Sequence, residues 1–157
     1  MELGPCATTT AVDWVEAINK AEGRSLVVYT DGSMDEAGQV GGGWFAGNAG
    51  GGSVGVGTVA TVWDGKVAGI QQALLMASDV DLLVLTDSKA AVASIVQAGQ
   101  LGKGRTRDLV EVVNGVGRHL ALGLMVRFRW VKAHVEIQGN ERVDTLAKVG
   151  CRPFLLP

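Results

Sequence analysis

The chain has 157 residues, 47% of them hydrophobic, with 14 basic and 16 acidic side chains and a formal charge of −2. That length suits one domain with a single core, and no apolar run approaches the roughly 20 residues a membrane-spanning helix needs. The charge balance excludes a global pull on nucleic acid. Half of the basic residues nevertheless fall in one stretch, as Lys103, Arg105, Arg107, Arg118, Arg127, Arg129 and Lys132. A local surface that neutralises phosphates is one reading of that stretch, and solvated helix and strand faces are the reading that charge alone favours.

In chain order, Thr8 to Ala21 reads as a helix with Trp14, Val15 and Ile18 on one side. Ser25 to Thr30 is a short β-branched run, a buried strand ending at Asp31. Gly38 to Thr61 alternates around Val40, Trp44, Phe45, Val54, Val56 and Val59, which predicts two strands joined by a hairpin. Its glycine triplets, Gly41 to Gly43 and Gly50 to Gly52, are expected at strand turns and edges. No Gly-Lys-Ser or Gly-Lys-Thr follows them, so they are no phosphate loop.

Trp63 to Ala77 has helical periodicity through Val67, Ile70, Ala73, Leu74 and Ala77, with Asp64 as the expected N-cap. Asp81 to Thr86 is an almost continuous apolar run, as in strands buried on both faces. Helices are predicted over Ser88 to Ala98 and Thr106 to Leu122, a fifth strand over Leu124 to Val131, and a last helix over Asn140 to Val149. This order implies an α/β fold, a mixed five-stranded sheet flanked by helices, with an extra helix in front. The expected division is an extension over 1–24, the domain over 25–150 and a tail over 151–157. Trp44 and Trp130 are expected in or beside the core. Trp63 is also assigned to packing, with substrate contact as its other reading.

Three aspartates stand in telling contexts. They are Tyr29-Thr30-Asp31-Gly32-Ser33, Leu85-Thr86-Asp87-Ser88, and Gly139-Asn140-Glu141-Arg142-Val143-Asp144-Thr145-Leu146-Ala147-Lys148. Asp31 and Asp87 each end a predicted strand; if those strands are neighbours, both carboxylates face one crevice. Asp144 enters from the last helix, whose Val143, Leu146 and Ala147 face the core. Three hard oxygen ligands of this kind suit magnesium.

These segments, in this order, resemble type 1 ribonuclease H from about Ser25 to Lys148. The resemblance implies hydrolysis of the RNA strand of an RNA/DNA hybrid by two magnesium ions, with manganese as the alternative metal. Asp31 would bridge both ions, and Asp87 and Asp144 would each help to hold one. His134, in Trp130-Val131-Lys132-Ala133-His134, matches the mobile-loop histidine that assists proton movement or product departure. Substrate would rest on the backbone of Gly32, Ser33 and Met34 and on the polar groups of Thr61, Thr86 and Asn140. Val62 and Trp63 stand where some relatives carry 2′-hydroxyl-reading asparagines, so weaker hybrid selectivity follows.

Val62-Trp63-Asp64-Gly65-Lys66-Val67-Ala68-Gly69-Ile70 and Ile137-Gln138-Gly139-Asn140-Glu141 look most like domains of fungal non-LTR retrotransposon polyproteins. A monomeric domain is expected, either standing alone or part of such a reverse-transcriptase polyprotein. Cys6 and Cys151 lack metal-ligand spacing and the N-terminus shows no targeting pattern. A reduced intracellular protein is expected, in nucleus or cytoplasm.

Lys66 departs from the family, which places glutamate here. The exchange raises the site charge by two. An ammonium about 4 Å from a divalent ion meets up to about 8 kcal/mol of repulsion at an effective dielectric of about 20. Asp64, two positions earlier and about 200° around the helix, points elsewhere and cannot substitute. Two readings follow: a ribonuclease H impaired at Lys66, or a non-catalytic module of that fold, with Lys66 paired to Asp31 or Asp87, that binds nucleic acid or a protein partner.

Overall fold

The computed structural model describes residues 25–58, 60–101, 107–131 and 138–151. The expected helix over Thr8 to Ala21 lies outside them. Five strands, β1 (Leu26–Met34), β2 (Val40–Phe45), β3 (Gly51–Gly57), β4 (Leu82–Thr86) and β5 (Val126–Trp130), alternate with helices α1 (Val62–Met76), α2 (Lys89–Leu101), α3 (Arg107–Ala121) and α4 (Gln138–Gly150). The sheet order is β3-β2-β1-β4-β5. β1, β2 and β3 run antiparallel, whereas β4 and β5 lie parallel to β1 and to each other.

Strand periodicity sends alternate residues to opposite sides. On one side Val28, Val84, Val126 and Phe128 pack against Val67, Ile70, Ala73 and Leu74 of α1, Val92 and Ile95 of α2, and Leu109, Val112 and Val116 of α3. Fully burying side chains such as Ile70, Ile95 and Phe128 contributes roughly 1.5–3 kcal/mol each. On the other side Val27, Leu83, Leu85 and Val131 form a smaller cluster with Tyr29. All five residues that set the α1 periodicity are buried. Trp44 and Trp63 are half-buried against the main core.

The glycine triplet Gly41 to Gly43 is neither turn nor edge, because β2 lies between β3 and β1. It lies inside a strand pressed by backbone from both sides. A Cβ on Gly43 would sit 2.7 Å from the Ala147 nitrogen of α4, and one on Gly69 of α1 would sit 2.6 Å from the Gly43 oxygen. Backbone cannot yield as a side chain can, so these positions exclude any larger residue. The close approach sets how deeply the first turns of α1 sink toward β1. Of the second triplet, Gly50 has φ 111° and does serve a turn, while Gly51 and Gly52 open β3.

The cap of α1 also differs from expectation. The N-cap of α1 is Thr61; its hydroxyl accepts from the Asp64 amide while the Asp64 carboxylate accepts from the Thr61 amide at 2.7 Å. This is a reciprocal capping box, and Asp64 is its third helical residue. His119 is 1% exposed, and its ring nitrogens lie 3.0 Å from the Gly115 oxygen and 2.8 Å from the Ala77 oxygen. The imidazole thereby ties α3 to the end of α1.

Candidate active site

Asp31 lies within β1 rather than at its end, since the strand continues to Met34 by pairing with Val40. The parallel pairing of β1 with β4 puts Thr30 beside Thr86. Asp31 and Asp87 are the next residue on each strand, so the topology brings together two carboxylates 56 positions apart. Alternation places Asp31 on the side of Val27 and Tyr29, the side that α4 covers at Gly41 and Gly43.

Lys66 enters from the first turns of α1 on the opposite side of β1. Gly32 allows this, because a Cβ there would collide with the Lys66 amide. The ammonium sits 2.6 Å from Asp87 Oδ1 and 3.5 Å from Asp31 Oδ1, with side chains 19%, 12% and 8% exposed respectively. Asp31 Oδ1 also accepts from the Gly32 amide at 2.8 Å. Burial and the neighbouring Asp87 charge raise the Asp31 carboxyl to about 6, against the opposing pull of Lys66 and the Gly32 amide. Burial lowers the Lys66 ammonium, but its hydrogen bond and charge attraction to Asp87, with the charge of Asp31, outweigh this and lift it above its ordinary value. The ammonium is therefore held charged.

Asp144, on α4, turns to Lys148 one helical turn on, at 3.0 Å. Its charge still reaches Asp31, whose carboxyl it helps to raise. Among the described residues no group of three or more His, Cys, Asp or Glu side chains is arranged to hold a metal ion. Of the expected ligands, Asp31 and Asp87 flank the Lys66 ammonium instead, and Asp144 pairs with Lys148. As built, this donor set does not fit the divalent ions that the ribonuclease H resemblance implies.

The expected substrate positions separate. Gly32, Ser33 and Met34 are in β1, with Met34 exposed. Thr61 is exposed and its hydroxyl is used in the capping box. Thr86 is 1% exposed and accepts from the Ser88 amide at 3.2 Å. A substrate contact from its side chain is therefore corrected to a structural role in the β4-to-α2 turn. Asn140 lies in the first turn of α4, its side chain outside the described set, and His134 lies outside the described residues altogether. The basic stretch does not form one surface where it is described: Arg118 is exposed on α3, while Arg127 and Arg129 alternate with buried Val126 and Phe128 and so face the opposite side.

Some supporting contacts escaped the sequence reading. Trp130 Nε1 donates to the Asp87 carbonyl at 3.1 Å, and the Lys89 ammonium lies 4.3 Å above the Trp130 ring. Ser88 accepts from the Ala91 amide at 3.0 Å and caps α2. The turn bearing Asp87 is thus pinned from β5 and from α2. The Ser88 cap had a sequence signal, Thr86-Asp87-Ser88 after a strand, as did the Asp144–Lys148 pair in its i,i+4 spacing.

A mixed five-stranded sheet in this order, with helices packed on it, is the ribonuclease H-like fold. Residues 23–152 match the family model for RNase H, and the chain belongs to the ribonuclease H family. A search of curated proteins found no match.

Proposed function

We propose that the chain is a ribonuclease H domain, of the kind that hydrolyses the RNA strand of RNA/DNA hybrids with two divalent ions, and that Lys66 suppresses its turnover. One observation carries this reading: the Lys66 ammonium lies 2.6 Å from one expected ligand and 3.5 Å from another. A divalent ion there would have to displace a cation already neutralising the same oxygens, and then endure its repulsion. Asp31, Asp87 and Asp144 are the proposed metal ligands of the ancestral site, with His134 at the mobile loop. Gly32, Ser33, Met34, Thr61 and Asn140 are the proposed substrate contacts.

The segments Val62 to Ile70 and Ile137 to Glu141 support a retrotransposon polyprotein as the parent of this domain. An extension over 1–24, a domain over 25–150 and a monomeric state belong to the same reading. Glutamate and lysine codons differ by one base, so one substitution suffices to convert an active copy.

Magnesium titration by calorimetry tests the proposal. The chain should give no binding heat at millimolar metal, and Lys66→Glu should give saturable heat. Equal, saturable heats from both would overturn it.

A further inference from the structure

We infer that the end of the domain opposite the carboxylate crevice is a docking surface for this chain's own preceding segment, Thr8 to Ala21. Six of the ten large hydrophobic residues exposed among the described ones lie at that end: Leu75, Met76, Val80, Leu120, Leu122 and Met125. Leu75 and Met76 close α1, Val80 precedes β4, Leu120 and Leu122 stand at the end of α3, and Met125 precedes β5. Hydrogen bonds hold these pieces together. The Ala77 oxygen lies 2.8 Å from His119 Nε2, the Leu82 amide donates to the Met125 oxygen at 2.9 Å, and the Met125 amide donates to Asp81 Oδ1 at 2.9 Å. Single exposed apolar residues are ordinary, but a gathering of them at one end marks a contact surface.

Chain continuity names the occupant. β1 enters the sheet at this same end, where the Leu26 amide donates to the Asp81 oxygen, next to Val80, at 2.9 Å. Ala21 stands five residues earlier, so its reach from Leu26 is at most about 18 Å. In the preceding segment Ala11, Trp14, Val15 and Ile18 follow the i, i+3, i+4, i+7 spacing of one apolar helix stripe. A helix of 14 residues is marginal in water unless such a stripe finds a partner. A tether this short supplies an effective concentration of about millimolar, enough for a modest apolar contact to form. The other apolar segment outside the described residues, Phe154-Leu155-Leu156, follows Cys151. The Cys151 thiol donates to the Ser33 oxygen at 3.1 Å, and Ser33 is seven strand residues, or about 23 Å, from Leu26. The segment before β1 is therefore the nearer candidate.

Trypsin cleavage after Lys20, followed by mass spectrometry on the whole chain under native conditions, tests the inference. Leu122 is 68% exposed and Met76 64%, so a charge at either should change nothing if water is their only neighbour. If Trp14, Val15 and Ile18 cover them, Leu122→Asp and Met76→Asp should each speed the cut by about tenfold or more, by undocking the segment. Trp14→Ala should give a similar rise, and combining it with Leu122→Asp should add little, because both changes remove one contact. Val149→Asp, on the exposed side of α4, controls for general loosening and should leave the rate unchanged. Equal rates in the unaltered chain and in the Leu122 and Met76 variants overturn the inference and leave this surface open to another protein. An equal rise in Val149→Asp also overturns it. So does a rate in the unaltered chain that falls as its concentration rises, which would give the surface to a second copy.

Discussion

Asp31→Asn should stabilise the protein at neutral pH. Asp31 is 6% exposed, and its carboxyl rises from an ordinary 3.8 to about 6 in the fold. At about 1.4 kcal/mol per tenfold, ionising it costs the folded chain about 3 kcal/mol more than the unfolded chain. The sign follows from proton binding. Between 3.8 and about 6 the folded chain holds a proton that the unfolded chain has released, so stability from this group is full below that window. It falls through the window and is level above it. An asparagine cannot ionise, yet its Oδ1 keeps the acceptor position used by the Gly32 amide at 2.8 Å and facing Lys66 at 3.5 Å. Lys66 retains Asp87. The pull of Lys66 is already contained in the value of about 6, and an asparagine only approximates the protonated acid, so the net gain should be about 1–3 kcal/mol at about pH 7.5. At about pH 4 it should shrink to within about 0.5 kcal/mol. Urea denaturation of both proteins across that range measures the difference and cancels the titrating groups that do not interact with Asp31. A variant less stable than the original at about pH 7.5, or two parallel pH profiles, would refute the reasoning.

Thr61→Ala should cost about 1 kcal/mol in the same assay, because it removes the hydroxyl half of the capping box; an unchanged midpoint would deny the cap its role. Gly43→Ala should destabilise by roughly 1–3 kcal/mol, since its Cβ would face backbone of α4 with nowhere to move; a neutral result would show that α4 can lift from β2. His119→Leu keeps volume but removes the single N–H with which a neutral imidazole can serve either the Gly115 or the Ala77 carbonyl, and should cost about 1–3 kcal/mol by thermal melting; equal or greater stability would count against the bridge between α3 and α1.

The fold was legible where burial and periodicity agree. The α1 stripe through Val67, Ile70, Ala73 and Leu74, and the apolar run over Leu82–Thr86, each leave one sensible packing. The pairing of Asp31 with Asp87 was legible too, because β1 and β4 are parallel neighbours and each aspartate follows a paired threonine, although β1 itself runs on to Met34. Gly41 to Gly43 misled, since glycine chosen for close backbone approach looks the same in sequence as glycine chosen for a turn. Asp64 and Thr61 share a capping box, so either can pass for the cap until the hydrogen bonds are seen. Thr86 was assigned to substrate from its place beside Asp87, but alternation turns its side chain inward. The basic stretch from 103 to 132 spans helix and strand, and its described members divide between two sides of the sheet. Lys66 was the opposite case: one charge in an otherwise acidic crevice has few partners to choose from.

The central claim is that one side chain separates this domain from an active ribonuclease H. The most direct measurement is cleavage of a labelled RNA/DNA hybrid, in magnesium and then in manganese, by the chain and by Lys66→Glu side by side. RNA fragments are expected from the glutamate variant and little or none from the original. Comparable cleavage by both would contradict the claim by showing that three aspartates suffice beside an ammonium, and cleavage by neither would contradict it by showing that more than one ligand has been lost.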